Sequence, residues 1–310
     1  MDSISSYASN AALGGPAGEL IIRQSLESAL KLFNLDLDVA TSDSEMLELG
    51  SKFGHEYDVF IFDPWTWAGP GWKPRPFLVG NEDKTFLLDF FGAKGTTKGG
   101  LDIHPSQILT AFPVYPGNSF LGYFMQPAPT IKFAKKNQGV IWGKKDDYYK
   151  GKEAILAKIS ETVPLHSTCK NTNIMGGDTD MLFHGHLTPE SWNELLQESK
   201  FMIGLEDPLA GPSALDAVAA GTMYINPTYR SPKKDVYMSQ HPYLSEHVSS
   251  HTCDADMSKE SEVMACVEMA LATDLEPLVP KEFLKEAYME RAWKIFGGAI
   301  ERGRQKQKQQ

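Results

Sequence analysis

Apolar and polar residues follow two different spacings in the first part of the chain. Across residues 19–33, apolar side chains recur at helical spacing behind a Gly-Gly-Pro-Ala-Gly turn, which predicts a helix that begins from a loop. Residues 35–40 (LDLDVA) alternate strictly and predict a half-buried strand. Residues 58–63 (DVFIFD) predict a buried parallel strand. Helix and strands in this alternation indicate βαβ units.

Residues 64–118 are rich in Pro, Gly and Trp and show little periodicity. We expect long loops laid over a domain edge here. A loop stretch of this length within a compact domain is either functional or a failed assignment of elements. Trp65, Trp67 and Trp72 in this stretch could stack on sugar rings or anchor the loop.

From Gly139 the pattern alternates regularly between strand and helix spacing. Thr188 and Pro189 supply an N-cap and a first helical residue for one of the helices. The predicted strands are 139–145, 163–169, 200–205 and 222–227, and the predicted helices are 149–162, 187–199, 211–221 and 280–303. We therefore predict two Rossmann-like α/β domains, 1–135 and 136–280, followed by a C-terminal helix and a solvated, frayed tail at 281–310.

Composition excludes several partner classes. The 310-residue chain carries a net charge of −10, which argues against nucleic acid or an anionic membrane as the main partner. Three cysteines without a CxxC spacing predict no structural zinc and at most one internal disulfide. Residues 1–15 lack a signal-peptide pattern, and no apolar run has the length of a membrane span. We expect this chain alone not to encode its entry into the secretory pathway.

The segment from Gly204 to Asp216 combines a strand end, a Gly/Pro loop and a helix that begins near Pro212. The exposed N–H groups and positive dipole end of such a helix favour an anion. Asp216, one turn into the helix, could accept hydrogen bonds from a ribose diol. An ordinary strand–turn–helix shaped by its glycines and prolines is the alternative.

Several short motifs, in one order along nearly the whole chain, carry a family resemblance. They are LGGPAGEL at 13–20, LLDFFGA at 87–93, FPVYPGNSFLGY at 112–123, WGKK at 142–145, HGHLTPE at 184–190, GPSALDAVAAGTMYINP at 211–227 and SQHPY at 239–243. The sequence resembles glycosyltransferase family 18, the alpha-1,6-mannosylglycoprotein 6-beta-N-acetylglucosaminyltransferases. The resemblance implies an α/β fold of the GT-B type, in which two Rossmann-like domains face each other across a cleft.

The resemblance also implies a reaction. The donor would be UDP-N-acetylglucosamine, the acceptor would be the 6-hydroxyl of mannose in a branched N-glycan, and transfer would invert the anomeric centre without a metal or other cofactor. A Golgi location is implied as well. Glu19 matches the catalytic base of the family, which removes the proton from the attacking hydroxyl. The alternative for Glu19 is a first-turn acid that complements the helix dipole.

Candidates for substrate binding come from the resemblance, for Asp216, and from position along the chain, for the others. Asp216 falls where the family has a glutamate important for donor binding, and Lys144 could pair with the diphosphate or be a solvated lysine. Asn118 and Ser119 are candidates for acceptor or cleft contact, or for a structural turn. The full set of donor-binding candidates is Lys144, His186, Gly211, Pro212, Ser213 and Asp216.

The chain departs from the family pattern in three places. Ala210 stands where an acidic residue is expected, although Glu206 and Asp207 lie nearby. The stretch after Pro232 is short and lacks a lysine-containing piece, for which Lys233 or Lys234 could substitute. The hydrophobic strand that should precede the Gly-Gly-Pro loop is missing, so we expect the sequence to be a truncated gene model or a fragment.

These departures leave two alternatives to the implied reaction. One is a transferase of the same fold with another donor or acceptor. The other is a non-catalytic relative that binds a nucleotide or a glycan. Asp-x-Asp pairs at 36–38, 178–180 and 254–256 are expected by chance in so acidic a chain, and His184 with His186 lacks an evident third ligand, so no metal site is predicted.

Overall fold

The chain divides into two compact units in a computed structural model that describes residues 17–63, 75–98, 101–125, 133–175, 181–205, 210–230 and 237–309. One unit comprises Met1–Met125 with Lys281–Gln310, and the other comprises Gln126–Pro280. The division thus precedes the predicted boundary at residue 135. The C-terminal segment belongs to the first unit, whereas the sequence suggested a separate piece.

In the first unit, short parallel strands are flanked by helices. The sheet formed by the described residues has the strand order β1-β2-β5-β6, and every neighbouring pair is parallel. Strands β3 and β4 form a separate antiparallel pair. The elements are α1 (Ala17–Leu32), α2 (Asp43–Phe53), β1 (Phe60–Phe62), β2 (Thr85–Leu88), β3 (Thr96–Lys98), β4 (Leu101–Ile103), β5 (Ile108–Thr110) and β6 (Ser119–Phe120).

Two predictions for this unit are wrong. Residues 35–40 form no strand, and Leu37 and Val39 are exposed. The stretch predicted as loops contains β2 and β5, the two inner strands of the sheet, where Leu87 and Leu109 are buried. Strands of three or four residues are too short for a periodicity to stand out between turns. The helix from residue 19 and the strand within 58–63 are confirmed as α1 and β1.

The second unit is a doubly wound sheet, as the sequence predicted. Its parallel strands lie in the order β9-β8-β7-β10-β11-β13, and β12 pairs antiparallel with the far end of β11. The elements are β7 (Lys136–Trp142), α3 (Glu153–Ser160), β8 (Leu165–Ser167), β9 (Met181–Phe183), α4 (Pro189–Glu198), β10 (Ser199–Gly204), α5 (Pro212–Ala219), β11 (Met223–Arg230), β12 (Tyr237–Ser239), α6 (Pro242–His247), β13 (Thr252–Asp256) and α7 (Glu260–Ala272).

Lys135 forms hydrogen bonds at the amino-terminal edge of this sheet. Its ammonium donates to the carbonyls of Leu196 (3.3 Å) and Ala220 (2.9 Å), where α4 and α5 end. A cation at the carbonyl ends of helices complements their dipoles. Burial, with Lys200 nearby, lowers the pKa of Lys135 to about 8. Lys135 therefore stabilises the edge of the sheet opposite to the carboxyl ends of its strands.

The pairing of the cysteines agrees with the sequence analysis, which allowed at most one internal disulfide. Cys253 on β13 and Cys266 on α7 form a disulfide, and Cys169 is a buried free thiol. The disulfide joins the last parallel strand of the second unit to the helix that follows it.

The C-terminal helix, α8 (Lys285–Gln309), completes the first unit. Tyr288 and Phe296 are buried in one core with Leu26 of α1. The Arg291 guanidinium lies 4.3 Å from the Phe120 ring centroid, and its Nε donates to the Leu121 carbonyl at 3.0 Å. These contacts explain why the segment belongs here. The helix continues through the tail that was predicted to be frayed.

Among the described helices, including the 25 residues of α8, none combines the length and apolar composition needed to span a membrane.

Candidate functional site

The strand order of the second unit reverses between β7 and β10. In chain order its parallel strands are arranged 3-2-1-4-5-6, the order of dinucleotide-binding sheets. Ligands of such sheets bind beyond the carboxyl ends of the strands at this reversal. Here those ends carry Trp142 and Gly204, and the Leu205 N–H still donates to the Trp142 carbonyl at 3.3 Å.

Gly211 lies directly against Trp142 at this edge. It is the N-cap of α5 with φ −79° and ψ 155°, angles that any residue adopts. A Cβ at this position would lie 2.7 Å from Trp142 Cζ2 and closer still to Cη2, and Trp142 is buried. Glycine is therefore required here by close approach. The contact brings the N-terminus of α5 next to the strand end that Lys144 follows.

Three of the predicted donor-binding residues surround this helix start. Pro212 is the first helical residue, Ser213 follows in the first turn, and both are half-buried. Lys144 lies two residues beyond β7 and is exposed. Glu206, Asp207, Lys233 and Lys234, the possible compensating residues, lie outside the described residues.

Asp216 lies on α5 and contacts α4 through Trp192. It keeps some solvent access, but burial raises the pKa of its carboxyl to about 6, while the hydrogen bond from Trp192 acts in the opposite direction. Trp192 lies on α4, so its indole fixes the carboxyl from the neighbouring helix. The remaining capacity of the carboxylate could accept hydrogen bonds from a vicinal diol.

The SQHPY segment supports the loop that leads to Gly211. The Gln240 carbonyl accepts a hydrogen bond from the Ala210 N–H at 2.8 Å, and Ala210 has a φ of +50°, unusual for a residue with a side chain. His241 Nδ1 accepts from the Leu244 N–H at 3.3 Å. Burial lowers the pKa of His241 to about 3, although the Gly211 carbonyl favours the protonated ring. His241 is therefore neutral and structural.

A network of hydrogen bonds within the second unit holds the SQHPY segment in place. Asn226, on β11, accepts from the His241 N–H at 3.0 Å and donates to Asp254 Oδ1 at 2.6 Å. Ser245 Oγ donates to the same carboxylate. The roles of Trp142, Trp192, Gln240 and His241 were missed from the sequence. The WGKK and SQHPY motifs could have indicated three of them, but no motif included Trp192.

His186 is exposed in the segment between β9 and α4. Its neighbour His184 is paired with a different histidine, since His184 Nε2 lies 2.8 Å from His166 Nδ1 on β8. Burial, reinforced by His184, lowers the pKa of His166 to about 4. The predicted cap is confirmed, because Thr188 Oγ1 accepts from the Ser191 N–H at 3.2 Å. A donor contact by His186 stays a prediction.

In the first unit, Glu19 is half-buried in the first turn of α1. The Gly-Gly-Pro loop before it lies outside the described residues. One turn further, the Arg23 guanidinium lies 4.0 Å from an Asp63 carboxylate oxygen, just after β1. A carboxylate at this position suits both general-base chemistry and the helix dipole.

Asn118 and Ser119 are engaged in holding a turn together. Asn118 Oδ1 accepts from the Ala93 N–H at 2.9 Å, and its Nδ2 donates to the carbonyls of Ala93 (2.8 Å) and Pro105 (3.0 Å). Ser119 Oγ donates to the Ser106 carbonyl at 2.6 Å. These contacts favour the structural alternative, and acceptor contact stays a prediction.

The described residues contain no group of three or more His, Cys, Asp or Glu side chains placed to hold a metal ion. Of the Asp-x-Asp pairs, Asp254 is held by Asn226 and Ser245, and Asp178–Asp180 lies outside the described residues. Trp65, Trp67 and Trp72 also lie outside them.

The fold of the chain is similar to that of a solved glycosyltransferase. The crystal structure of AviGT4, a glycosyltransferase involved in avilamycin A biosynthesis, matches with a TM-score of 0.51 at 13% identity and covers 92% of this chain and 87% of that one. At this identity the likeness concerns the fold alone, which is of the GT-B type with two Rossmann-like units.

Sequence comparison is more specific. Alpha-1,6-mannosylglycoprotein 6-beta-N-acetylglucosaminyltransferase A of Homo sapiens is 27% identical over 324 residues, covering 90% of this chain and 44% of the human protein. The Caenorhabditis elegans alpha-1,6-mannosylglycoprotein 6-beta-N-acetylglucosaminyltransferase is 25% identical, covering 90% of this chain and 50% of its own length. The chain spans about half the length of these relatives. The profile of glycosyltransferase family 18 matches residues 84–296, so the chain belongs to glycosyltransferase family 18.

Proposed function

We propose that the protein transfers N-acetylglucosamine from UDP-N-acetylglucosamine to the 6-hydroxyl of an α-linked mannose in an N-glycan. Transfer would invert the anomeric centre and would need no metal ion or other cofactor. The relatives named above support this reaction by their names. Protein N-glycosylation in the Golgi is the corresponding cellular role.

The observation that carries the proposal is the helix start at the strand reversal of the second unit. Gly211 packs on Trp142 and brings the N–H groups of α5 to the carboxyl edge of the sheet. A diphosphate suits this place because it is anionic and the helix end is positive. The Asp216 carboxyl, one turn on, suits the ribose diol.

Glu19 is the proposed base. Its carboxylate takes the proton from the mannose 6-hydroxyl, and the hydroxyl oxygen forms a bond to the anomeric carbon from the face opposite UDP. The bond from that carbon to the UDP oxygen breaks, and the electron pair leaves with UDP. Lys144 and the N-terminus of α5 stabilise the negative charge that develops on the leaving diphosphate. The product carries a β linkage.

A transfer assay with UDP-N-acetylglucosamine and a branched mannose acceptor tests the proposal. We expect UDP release together with a β-1,6-linked product that is identified by mass spectrometry and NMR, and activity that persists in EDTA. Calorimetric binding of the donor without UDP release would favour a non-catalytic relative. Transfer of a different sugar, or to a different hydroxyl, would favour the other alternative.

Donor binding should depend on pH through Asp216. Its pKa is raised to about 6, so at pH 5 roughly a tenth of the carboxyls remain ionised. If the carboxylate accepts the ribose hydroxyls, the affinity for UDP-N-acetylglucosamine should fall about tenfold for each pH unit below 6. This ligand is chosen because its diphosphate, unlike the terminal phosphate of UDP, does not titrate near pH 6. Calorimetric titrations from pH 5 to 8 measure this dependence. In Asp216→Asn the pH dependence should disappear.

Two controls separate Asp216 from general effects of acid. Trp192→Phe removes the hydrogen bond that lowers the pKa of Asp216, so the midpoint should move to higher pH. Without nucleotide, ionisation of Asp216 has the opposite effect, because it lowers the stability of the folded protein instead of favouring binding. Because the folded-state pKa exceeds the ordinary value of 3.8, this group's contribution to stability is fully present below pH 4 and is lost as the pH rises through 6. An unchanged midpoint in Trp192→Phe would contradict the assignment.

A further inference from the structure

Tyr149 is a fully buried side chain next to the WGKK motif, with which β7 ends. Its hydroxyl donates to the Gly143 carbonyl at 3.0 Å and lies 2.7 Å from Oγ of Ser167, the last residue of β8. Burial raises the pKa of the Tyr149 hydroxyl above its ordinary value, so the group stays protonated. Because its one proton goes to Gly143, the Ser167 hydroxyl donates to the tyrosine oxygen. Tyr149 therefore links the carboxyl ends of two neighbouring strands.

Gly143 lies in close contact with the tyrosine. A Cβ on Gly143 would lie 3.0 Å from Tyr149 Cε2 and 2.7 Å from Leu205 Cδ1, so a larger residue would have to displace one of them. The peptide group from Gly143 to Lys144 is planar, and its carbonyl points towards Tyr149. The N–H of Lys144, on the opposite side of a trans peptide, therefore points away from the tyrosine.

The segment that contains the two lysines of WGKK is also held at its other end. The Asp146 carboxylate accepts from Cys169 Sγ at 3.3 Å and from Asn171 Nδ2 at 2.7 Å, both in the stretch that follows β8. Both lysines are exposed, whereas Gly143 before them is buried. The backbone that carries the lysines is thus fixed on both sides, and only their side chains extend into solvent.

Successive residues at the end of β7 face opposite sides of the sheet. Trp142 packs against Gly211 at the start of α5, and Gly143 faces Tyr149. Side chains alternate in this way along an extended chain. We propose that Tyr149 positions Lys144: its bond to the Gly143 carbonyl keeps the chain extended, so Lys144 returns to the side of Gly211, where the diphosphate binds. This inference rests on the proposed function, and Tyr149 acts in it only through Lys144.

Tyr149→Phe tests the inference, with UDP and uridine as probes in isothermal titration calorimetry. The phenylalanine keeps the ring but removes the bond to Gly143, so UDP should bind about three- to tenfold more weakly. Uridine lacks the phosphates, and its affinity should stay unchanged. In the transfer assay kcat should fall while KM for the acceptor stays constant, because Lys144 stabilises charge on the leaving diphosphate.

A double-mutant cycle with Lys144→Ala separates positioning from a general loss of structure. Lys144→Ala should itself weaken UDP binding by about tenfold or more, the usual effect of losing a charged hydrogen-bond donor. In that background Tyr149→Phe should have no further effect on UDP affinity. The melting temperature should fall equally in both backgrounds, because the buried hydroxyl is lost in each.

Tyr288→Phe is the matched control. Tyr288 is also fully buried, but it lies in the first unit, and its hydroxyl has no hydrogen-bond partner among the described residues. This variant should bind UDP as the wild type does. Gly143→Ala provides a second variant should Tyr149→Phe fail to fold. Its added methyl group disturbs the same peptide from the other partner, and its effect on UDP affinity should likewise disappear in Lys144→Ala.

The possible outcomes distinguish this inference from the proposed function. Unchanged UDP affinity in Tyr149→Phe, an equal loss for uridine, or the same loss in the Lys144→Ala background overturns the positioning role while the proposed function stands. Lys144→Ala protein that binds UDP as tightly as the wild type also overturns it. Wild-type protein that binds no UDP contradicts the proposed function, and the inference with it.

Discussion

Glu19→Gln is expected to reduce sugar transfer by about 10²- to 10⁴-fold, the usual contribution of a general base. The amide has the size of the carboxylate but cannot take the proton from the attacking hydroxyl. UDP affinity should stay unchanged, because the proposed nucleotide site lies on the other unit of the chain. Initial transfer rates and calorimetric UDP binding, measured on the same preparation, check both halves of the prediction.

The control for this variant is Glu27→Gln, the same substitution two turns further along α1 at another half-buried position. It should retain transfer. If Glu19 served only the helix dipole, Glu19→Gln would lower stability by about 0.3–1 kcal/mol and leave the rate intact. Full activity in Glu19→Gln would remove this residue from the mechanism.

Gly211→Ala is expected to lower kcat/KM by about 10²-fold, because displacing a binding group by about 1 Å costs that much. The added methyl group would overlap the buried Trp142 indole, so the start of α5 must move away from the strand ends. Overpacking of this kind also costs about 1–3 kcal/mol in stability. Steady-state kinetics and the midpoint of thermal unfolding measure the two effects.

Gly297→Ala is the matched control for this change. A Cβ there would meet Trp293 at 3.5 Å, an ordinary contact, and the helix α8 should gain about 1 kcal/mol from the better helix former. A smaller side chain at position 142 provides a second check. In a Trp142→Phe background, Gly211→Ala should cost less than it does in the wild type. Equal costs in both backgrounds would refute the steric explanation.

Seven regular elements of the second unit, β7, β8, β10, β11, α3, α4 and α5, could be predicted because they are bounded by clear signals. Thr188 and Pro189 mark the start of α4, and a run of buried residues marks β10. In the same unit β9, β12, α6, β13 and α7 were not predicted, and the other failures lie in the first unit. Residues 35–40 alternate as a strand should, but alternation says nothing about whether a neighbouring strand offers an edge to pair with. β2 and β5 are too short to stand out, although they are the inner strands of their sheet.

The parts of the candidate site that a single local segment forms could be predicted from the sequence. The helix start at Gly211 and the position of Asp216 one turn into the helix follow from residues close in sequence. The contacts that shape the site do not. Trp142 beneath Gly211, Trp192 beside Asp216 and Gln240 against Gly204 are brought together by strand order and helix packing, which no single-sequence periodicity encodes.

Two separate stretches of the chain form the first unit, and this affects the order in which the units can assemble during synthesis. During synthesis the second unit emerges whole before α8, whose buried Tyr288, Ala292 and Phe296 belong to the core of the first unit. The second unit is therefore complete in the chain before α8 emerges, whereas α1 is separated from its partner helix by the intervening residues. The early strands of the first unit must meanwhile avoid non-native association, the common hazard of multidomain chains. Assembly of the first unit thus requires α8, which is translated after the whole of the second unit.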